Sequence, residues 1–198
     1  MDFRTDFTSD RFPLVTVCMS SYNYAKYIEA ALDSLLQQTY PFVELIIIDD
    51  CSADGSVSII NEWINRNNIT CNFIVHTTNL GITKTSNELV KLAKGKYIVL
   101  FASDDMMRPE KIERQVKILE DAGEEYGMCY SIAATIDEDG NSTGYYNKEQ
   151  PPYEGDVLEY FVHGWLTFAT PASMIRRSVY QLIGYYDERM LLEDYDFW

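Results

Sequence analysis

Val43-Glu44-Leu45-Ile46-Ile47-Ile48-Asp49-Asp50-Cys51-Ser52-Ala53-Asp54-Gly55-Ser56 is an aliphatic run that stops on two carboxylates and gives way to a short polar loop. A continuous apolar run of this length reads as a strand buried on both faces, the kind found inside parallel sheets. The flanking sequence repeats the pattern. Upstream, Leu14 to Met19 reads as a strand ending in Ser20, Ser21 and Asn23, and Ile28, Ala31, Leu32, Leu35 and Leu36 recur at helical spacing before Pro41. Downstream, Val57, Ile59, Ile60, Trp63 and Ile64 mark a helix whose N-cap is Ser56, after a turn at Asp54-Gly55. Phe73 to Val75 then predicts a strand, Thr83 to Leu92 a helix, and Tyr97 to Phe101 a strand after the Lys94-Gly95 turn. The βαβαβαβ order predicts an α/β fold with a mostly parallel central sheet, helices on both faces, and ligands beyond the carboxyl ends of the strands. Three polar strand ends meet there: Ser20 to Tyr22, Asp49-Asp50 and Ser103 to Asp105.

After Pro109 the pattern changes. Ile112, Val116 and Leu119 predict a helix, Met128 to Ala133 a strand, and Asp139-Gly140-Asn141 a hairpin turn, followed by a less regular, aromatic-rich stretch from Tyr145 to Pro171. Those aromatics read as ordinary core or as faces on which sugar rings stack. The whole is expected to be a single domain over residues 1–198, with a nucleotide-binding half (13–105) and a partner-side half (106–198). Its 198 residues include 31 Asp+Glu against 16 Lys+Arg, a net charge of -15 that leaves no basic surface for nucleic acid. Cys18, Cys51, Cys71 and Cys129 are scattered without zinc-ligand spacing. They read as free thiols of a reducing compartment, and the absence of a signal peptide or an 18-residue apolar run leads to the expectation of a cytoplasmic location.

Phosphate loops of the GxGxxG and GxxxxGK[ST] types are missing, as is a GxSxG elbow, and His76 and His163 lack a nucleophile partner. What remains is carboxylates. Asp104 and Asp105 repel each other unless a cation or strong donors lie beside them, and hard oxygen ligands suit Mg²⁺ or Mn²⁺, whose shell a substrate diphosphate completes. The plainer alternative is that they cap the helix starting near Pro109. A carboxylate of the Asp49–Ser56 loop can accept a hydrogen bond from a base or ribose, and Tyr22 offers a stacking face; either residue type also serves simply as loop or packing. In Glu193-Asp194-Tyr195-Asp196-Phe197-Trp198, a carboxylate beside aromatic rings is a candidate general base, with an acidic helix start as the alternative.

In order and spacing these elements resemble the catalytic domain of glycosyltransferase family 2, inverting transferases of the GT-A (Rossmann-like) fold. The matching stretches begin with Val15-Thr16-Val17, Ser21-Tyr22-Asn23, Leu35-Leu36-Gln37-Gln38-Thr39-Tyr40 and Glu44 through Ser56. They continue with Asn79-Leu80-Gly81, Ala93-Lys94-Gly95-Lys96-Tyr97-Ile98, Ala102-Ser103-Asp104-Asp105 and Glu193 through Trp198. The resemblance implies a hexosyltransferase-type enzyme that uses a nucleotide-diphosphate sugar, usually a UDP-sugar. Tyr22 and Asp50, with Ser20 and Asp49 nearby, would hold base and ribose; Asp104 and Asp105 would bind ribose and a Mg²⁺- or Mn²⁺-diphosphate; Asp194 would deprotonate the acceptor hydroxyl. The acceptor is expected to be a glycan or a lipid-linked molecule in surface polysaccharide synthesis.

Three departures stand out. Ala102 replaces a common Asp, Ser86 replaces a common Arg for which nearby Lys84 is the stand-in, and the chain stops at Trp198 just after the presumed base. The stop reads as a truncation, so donor binding with poor transfer is expected, and any peripheral membrane contact would belong to a region beyond Trp198. Two other readings stay open: a sugar-phosphate nucleotidylyltransferase, against which Ser20-Ser21-Tyr22-Asn23-Tyr24 lacks a glycine-rich basic loop, and a non-catalytic nucleotide-sugar-binding subunit.

Overall fold

The computed structural model describes residues 12–146 and 153–190. Its order is β1 (Val15–Ser21), α1 (Ile28–Leu36), β2 (Val43–Asp49), α2 (Ser56–Asn67), β3 (Asn72–Val75), α3 (Ile82–Leu92), β4 (Tyr97–Ala102) and α4 (Lys111–Ala122). There follow β5 (Met128–Tyr130), β6 (Ala133–Ile136), β7 (Ser142–Tyr146), α5 (Leu158–Val162), a 3-10 turn (Thr170–Ala172), β8 (Ser173–Arg176) and α6 (Arg177–Ile183). The main sheet runs β3-β2-β1-β4-β8-β5. Its first four strands are parallel, and β8 is antiparallel to both β4 and β5.

The apolar runs form these strands because both faces are covered. Odd-numbered β1 and β2 residues (Val15, Val17, Met19, Leu45, Ile47) pack under α1, α2 and α4 with Leu32, Trp63 and Ile112. Even-numbered ones (Cys18, Ile46, Ile48) pack under α3 and α6 with Leu89, Val90 and Tyr180. Each side chain so buried contributes about 1.5–3 kcal/mol. The helix after β2 opens one residue differently from expectation: Gly55, in the left-handed region (φ 98°), takes the N-cap position, and Ser56 is the first helical residue. Asp54 replaces the expected cap, its carboxylate accepting from the Ser56 amide at 3.0 Å and hydroxyl at 2.6 Å.

The strand expected over Met128 to Ala133 is two strands. Its partner β8 starts at Ser173; the Ser131 amide still donates to the Ala172 carbonyl (3.1 Å), but the Ala172 amide is taken by the Ala169 carbonyl (2.8 Å) in the turn containing Pro171, so the ladder ends at Tyr130–Ser173. Ile132 is exposed, and the chain turns away into the β6–β7 hairpin, closed as expected through Asp139-Gly140-Asn141. β5 and β8 extend the same sheet that carries β1 to β4, so the two halves of the chain share one core.

Lys111 opens α4 with its ammonium turned inward, donating to Gln115 Oε1 (2.8 Å) and the Ser173 carbonyl (3.2 Å). Among the described residues it makes no ion pair, and burial pulls it down to about 7. A lysine that is more acidic in the folded than in the unfolded chain penalises folding fully below the folded value and not at all above the unfolded value near 10.4, so stability rises with pH between the two. Lys111→Met is expected to stabilise the fold by about 1–2 kcal/mol at pH 6.5, the two acceptors losing their donor offsetting part of the gain. Urea unfolding at pH 6.5 and 9 checks this; an equal pH slope in both proteins would show that the ammonium is adequately solvated.

Candidate functional site

The strand register places the predicted residues along one edge. Ser20 lies opposite Ile48 on one side and Ala102 on the other, so the tips of β2, β1 and β4 are neighbours. Asp50 and the Asp104-Asp105 pair leave from strands two apart, about 10 Å at the usual strand spacing. Strand order turns back between β1 and β4, where open α/β sheets bind their ligands.

The loops after β1 and β2 are stitched together. Ser21 Oγ donates to Asp49 Oδ2 (2.9 Å), the Asn23 amide to Ser52 Oγ (2.8 Å), the Ala53 amide to Asn23 Oδ1 (2.8 Å) and the Ala25 amide to Asp54 Oδ2 (2.9 Å). Asp49 also accepts from the Ser52 amide (2.8 Å) and hydroxyl (2.7 Å) and is fully buried. Its carboxylate is therefore occupied in holding the two loops, and it reaches a ligand only through them. Asn23 (φ 57°) and Cys51 (φ 69°) take left-handed backbone at the turns. Strand alternation, followed by the turn at Cys51, sends Asp50 to the opposite side from Asp49.

Asp50 meets α3. Its Oδ1 accepts from the Leu80 amide (2.8 Å) and contacts His76 Nδ1 (2.7 Å), and its Oδ2 accepts from the Gly81 amide (2.8 Å). Burial pushes its carboxyl up, but the bonds from His76, Leu80 and Gly81 outweigh it and hold Asp50 below the usual range. His76 is the residue that sequence reasoning missed. It follows β3 as the carboxylates follow β2 and β4, its amide donating to the Asp49 carbonyl (2.9 Å), and that position was the available signal.

Ser20 is half-buried at the centre of this edge, and Tyr22 is exposed beside it. The Asp104 carboxylate lies near enough to Tyr24 that its charge, with some burial, raises the phenol. Asp104 is exposed and Asp105 half-buried; burial and then the Asp104 charge push Asp105 up to about 6. Neither aspartate caps α4, whose N-cap residue is Glu110 and has no side-chain cap bond. Two adjacent carboxylates, one resisting ionisation, fit a divalent cation that a ligand diphosphate also coordinates; among the described residues no group of three His, Cys, Asp or Glu encloses an ion without such a ligand.

Two expectations do not meet at this edge, and a third, Asp194, lies outside the described residues. Lys84 is exposed whereas Ser86 is buried, as befits residues about 200° apart on α3, so Lys84 does not fill the space that Ser86 faces. Of the aromatics after Tyr145, Tyr146, Tyr153 and Phe168 line a different cavity, about 940 Å³, along the β5 edge with Tyr130 in its wall and none of the predicted donor residues. Trp165 and Tyr160 are exposed rather than core, and the Tyr160 ring lies 4.3 Å from that of Tyr153, tilted by 38°.

An uncharacterized glycosyltransferase of Methanocaldococcus jannaschii is 30% identical over 188 residues, covering 94% of this chain and 63% of that protein. The chondroitin synthase of Pasteurella multocida is 34% identical over 132 residues, 66% of this chain and 13% of that one. The structure of S. aureus TarS 1-349 in complex with UDP superposes with a TM-score of 0.72 at 23% identity, covering 93% of this chain and 53% of TarS, which shows the GT-A fold. This chain therefore spans less than two thirds of each of these proteins. The model of the family described as "Glycosyl transferase family 2" matches residues 16–184, and the chain belongs to that family.

Proposed function

We propose that this chain forms the donor-binding and catalytic part of an inverting, metal-dependent glycosyltransferase that moves a sugar from a UDP-sugar to an acceptor hydroxyl in polysaccharide or other glycan assembly. The observation that carries this is the single edge on which Ser20, Tyr22 and Asp50 stand at strand tips neighbouring the one that carries Asp104 and Asp105. The UDP complex of TarS and the polysaccharide product named for the chondroitin synthase support the choice of donor and pathway class. The free cysteines fit a reducing, cytoplasmic compartment, and among the described residues no helix is long and apolar enough to cross a membrane.

In this reading Asp50 takes an N–H or O–H of the nucleoside, Tyr22 stacks on the base, and Ser20 lies under the ribose. Asp104 and Asp105 hold Mg²⁺ or Mn²⁺, which when bound neutralises charge on the departing diphosphate. Asp194 accepts the proton of the attacking hydroxyl, and attack opposite the leaving group inverts the anomeric carbon. Titration calorimetry with UDP is expected to show binding that Mn²⁺ strengthens about tenfold or more. No binding with or without Mn²⁺ overturns the proposal. Release of pyrophosphate from UTP and a sugar phosphate would replace it with nucleotidyl transfer.

A further inference from the structure

This inference rests on reading the edge as a nucleotide-sugar pocket and goes on to how Asp50 is aimed. The His76 ring stands between two carboxylates, Nδ1 2.7 Å from Asp50 Oδ1 and Nε2 3.2 Å from Glu88 Oε2, with its side chain 8% exposed. A neutral imidazole carries one N–H and can donate to one of these partners; donation to both requires the imidazolium. An ionised carboxylate has about four lone-pair sites. On Asp50, His76 and the Leu80 amide fill Oδ1 and the Gly81 amide takes one site on Oδ2, which leaves one acceptor site, on Oδ2.

We propose that His76 is a positioning residue for donor binding: as an imidazolium bridging Asp50 and Glu88, it locks the Asp50 carboxylate so that its remaining acceptor site meets an N–H or O–H of the donor's nucleoside. Nucleoside affinity then falls as the ring loses its proton, because a neutral ring leaves one carboxylate without its donor and frees Asp50 to rotate. The charges acting on His76 come from Asp50 after β2 and Glu88 on α3; burial favours the neutral ring, but these two partners outweigh it and raise the imidazole. Among the described residues no lysine or arginine pairs with Asp50, Asp104 or Asp105, and Ser86 on α3 is buried. His76 is thus the cation built into this acidic edge.

The test uses UDP in Mg²⁺ by calorimetry between pH 6.5 and 9, with wild type, Glu88→Gln and His76→Asn, alongside ring ¹⁵N NMR. Only two histidines exist, so His163→Gln assigns the His76 signals. Wild-type affinity is expected to fall about tenfold over this range, beyond any slope in His76→Asn, with a midpoint matching the His76 ring titration. Glu88→Gln should move both midpoints to lower pH. Titration of Asp105 and of UDP itself is common to all three proteins and cancels in the comparison. Should His76→Asn fail to fold, Glu88→Gln decides, since the Glu88 side chain is 41% exposed. Identical pH curves in the folded variants and wild type overturn the role of His76 and leave the pocket standing. Absence of UDP binding at every pH overturns the pocket instead, and a His76 ring with one proton at pH 6.5 rejects the bridge independently of any ligand.

Discussion

Arg176→Met is expected to cost about 3–5 kcal/mol of folding stability, a large share of what a domain of this size possesses. The guanidinium is 2% exposed, and every one of its nitrogens has an acceptor. Nη2 donates to the carbonyls of Leu119 (2.5 Å) and Gly123 (2.8 Å), Nε to that of Tyr126 (2.8 Å), and Nη1 to the Tyr97 hydroxyl (2.8 Å). Leu119 lies in the last turn of α4 and Gly123 just past it, where helix carbonyls have no partner of their own and the dipole is negative. One side chain on β8 thus closes a helix that packs against β5. Methionine has similar bulk, so the loss would come from stranded carbonyls rather than from a cavity. Arg176→Lys should recover only part of it, because a single ammonium cannot span acceptors that a planar fork reaches together. Urea unfolding measures both; a loss under about 1 kcal/mol for methionine would mean that water or other donors satisfy these carbonyls.

Asp105→Asn should move stability and function in opposite directions. Its carboxyl is raised to about 6 by burial and by Asp104. A raised carboxyl favours the folded state below the unfolded value near 3.9, and that contribution is lost as pH rises through about 6, so at pH 7.5 the ionised side chain costs the fold. The rise from the ordinary value to about 6 corresponds to about 3 kcal/mol at most; with the side chain part-exposed, about 1–2 kcal/mol is expected. The isosteric amide should therefore raise Tm by about 2–6 °C in metal-free buffer. The same substitution removes one of the two carboxylates proposed to hold the metal, so Mn²⁺-supported UDP affinity should fall about tenfold or more and transfer about a hundredfold. Added Mn²⁺ with UDP should raise the Tm of wild type and not that of the variant. A variant that loses stability yet keeps metal-assisted binding would show the pair to be an ordinary turn.

These two residues show how differently sequence speaks about chemistry and about support. Asp104-Asp105 is legible because adjacent carboxylates at the end of an apolar strand are conspicuous and need a reason. Arg176 is not, because nothing local announces that its partners lie 50 to 79 residues earlier, at Tyr126, Gly123, Leu119 and Tyr97. The Lys94-Gly95 turn was legible as a turn. That a Cβ on Gly95 would lie 2.6 Å from the Thr16 amide nitrogen, in a network where Thr16 Oγ donates to buried Glu44, is a matter of how β1, β2 and the entry to β4 come together.

By itself the amino-acid sequence determined the parallel strands, the helices between them and the polar tips on one edge. Strands covered on both faces must be apolar throughout, and the residues where they leave the core are the first free to be polar. Only the tertiary structure separated Asp49 from Asp50, neighbours of identical chemistry. One is consumed by Ser21 and Ser52, and the other is held by His76, Leu80 and Gly81 with an acceptor site to spare. That division follows from which strand lies beside which and which way each side chain leaves the pleat, and the partners that decide it come from β1, β3 and the start of α3.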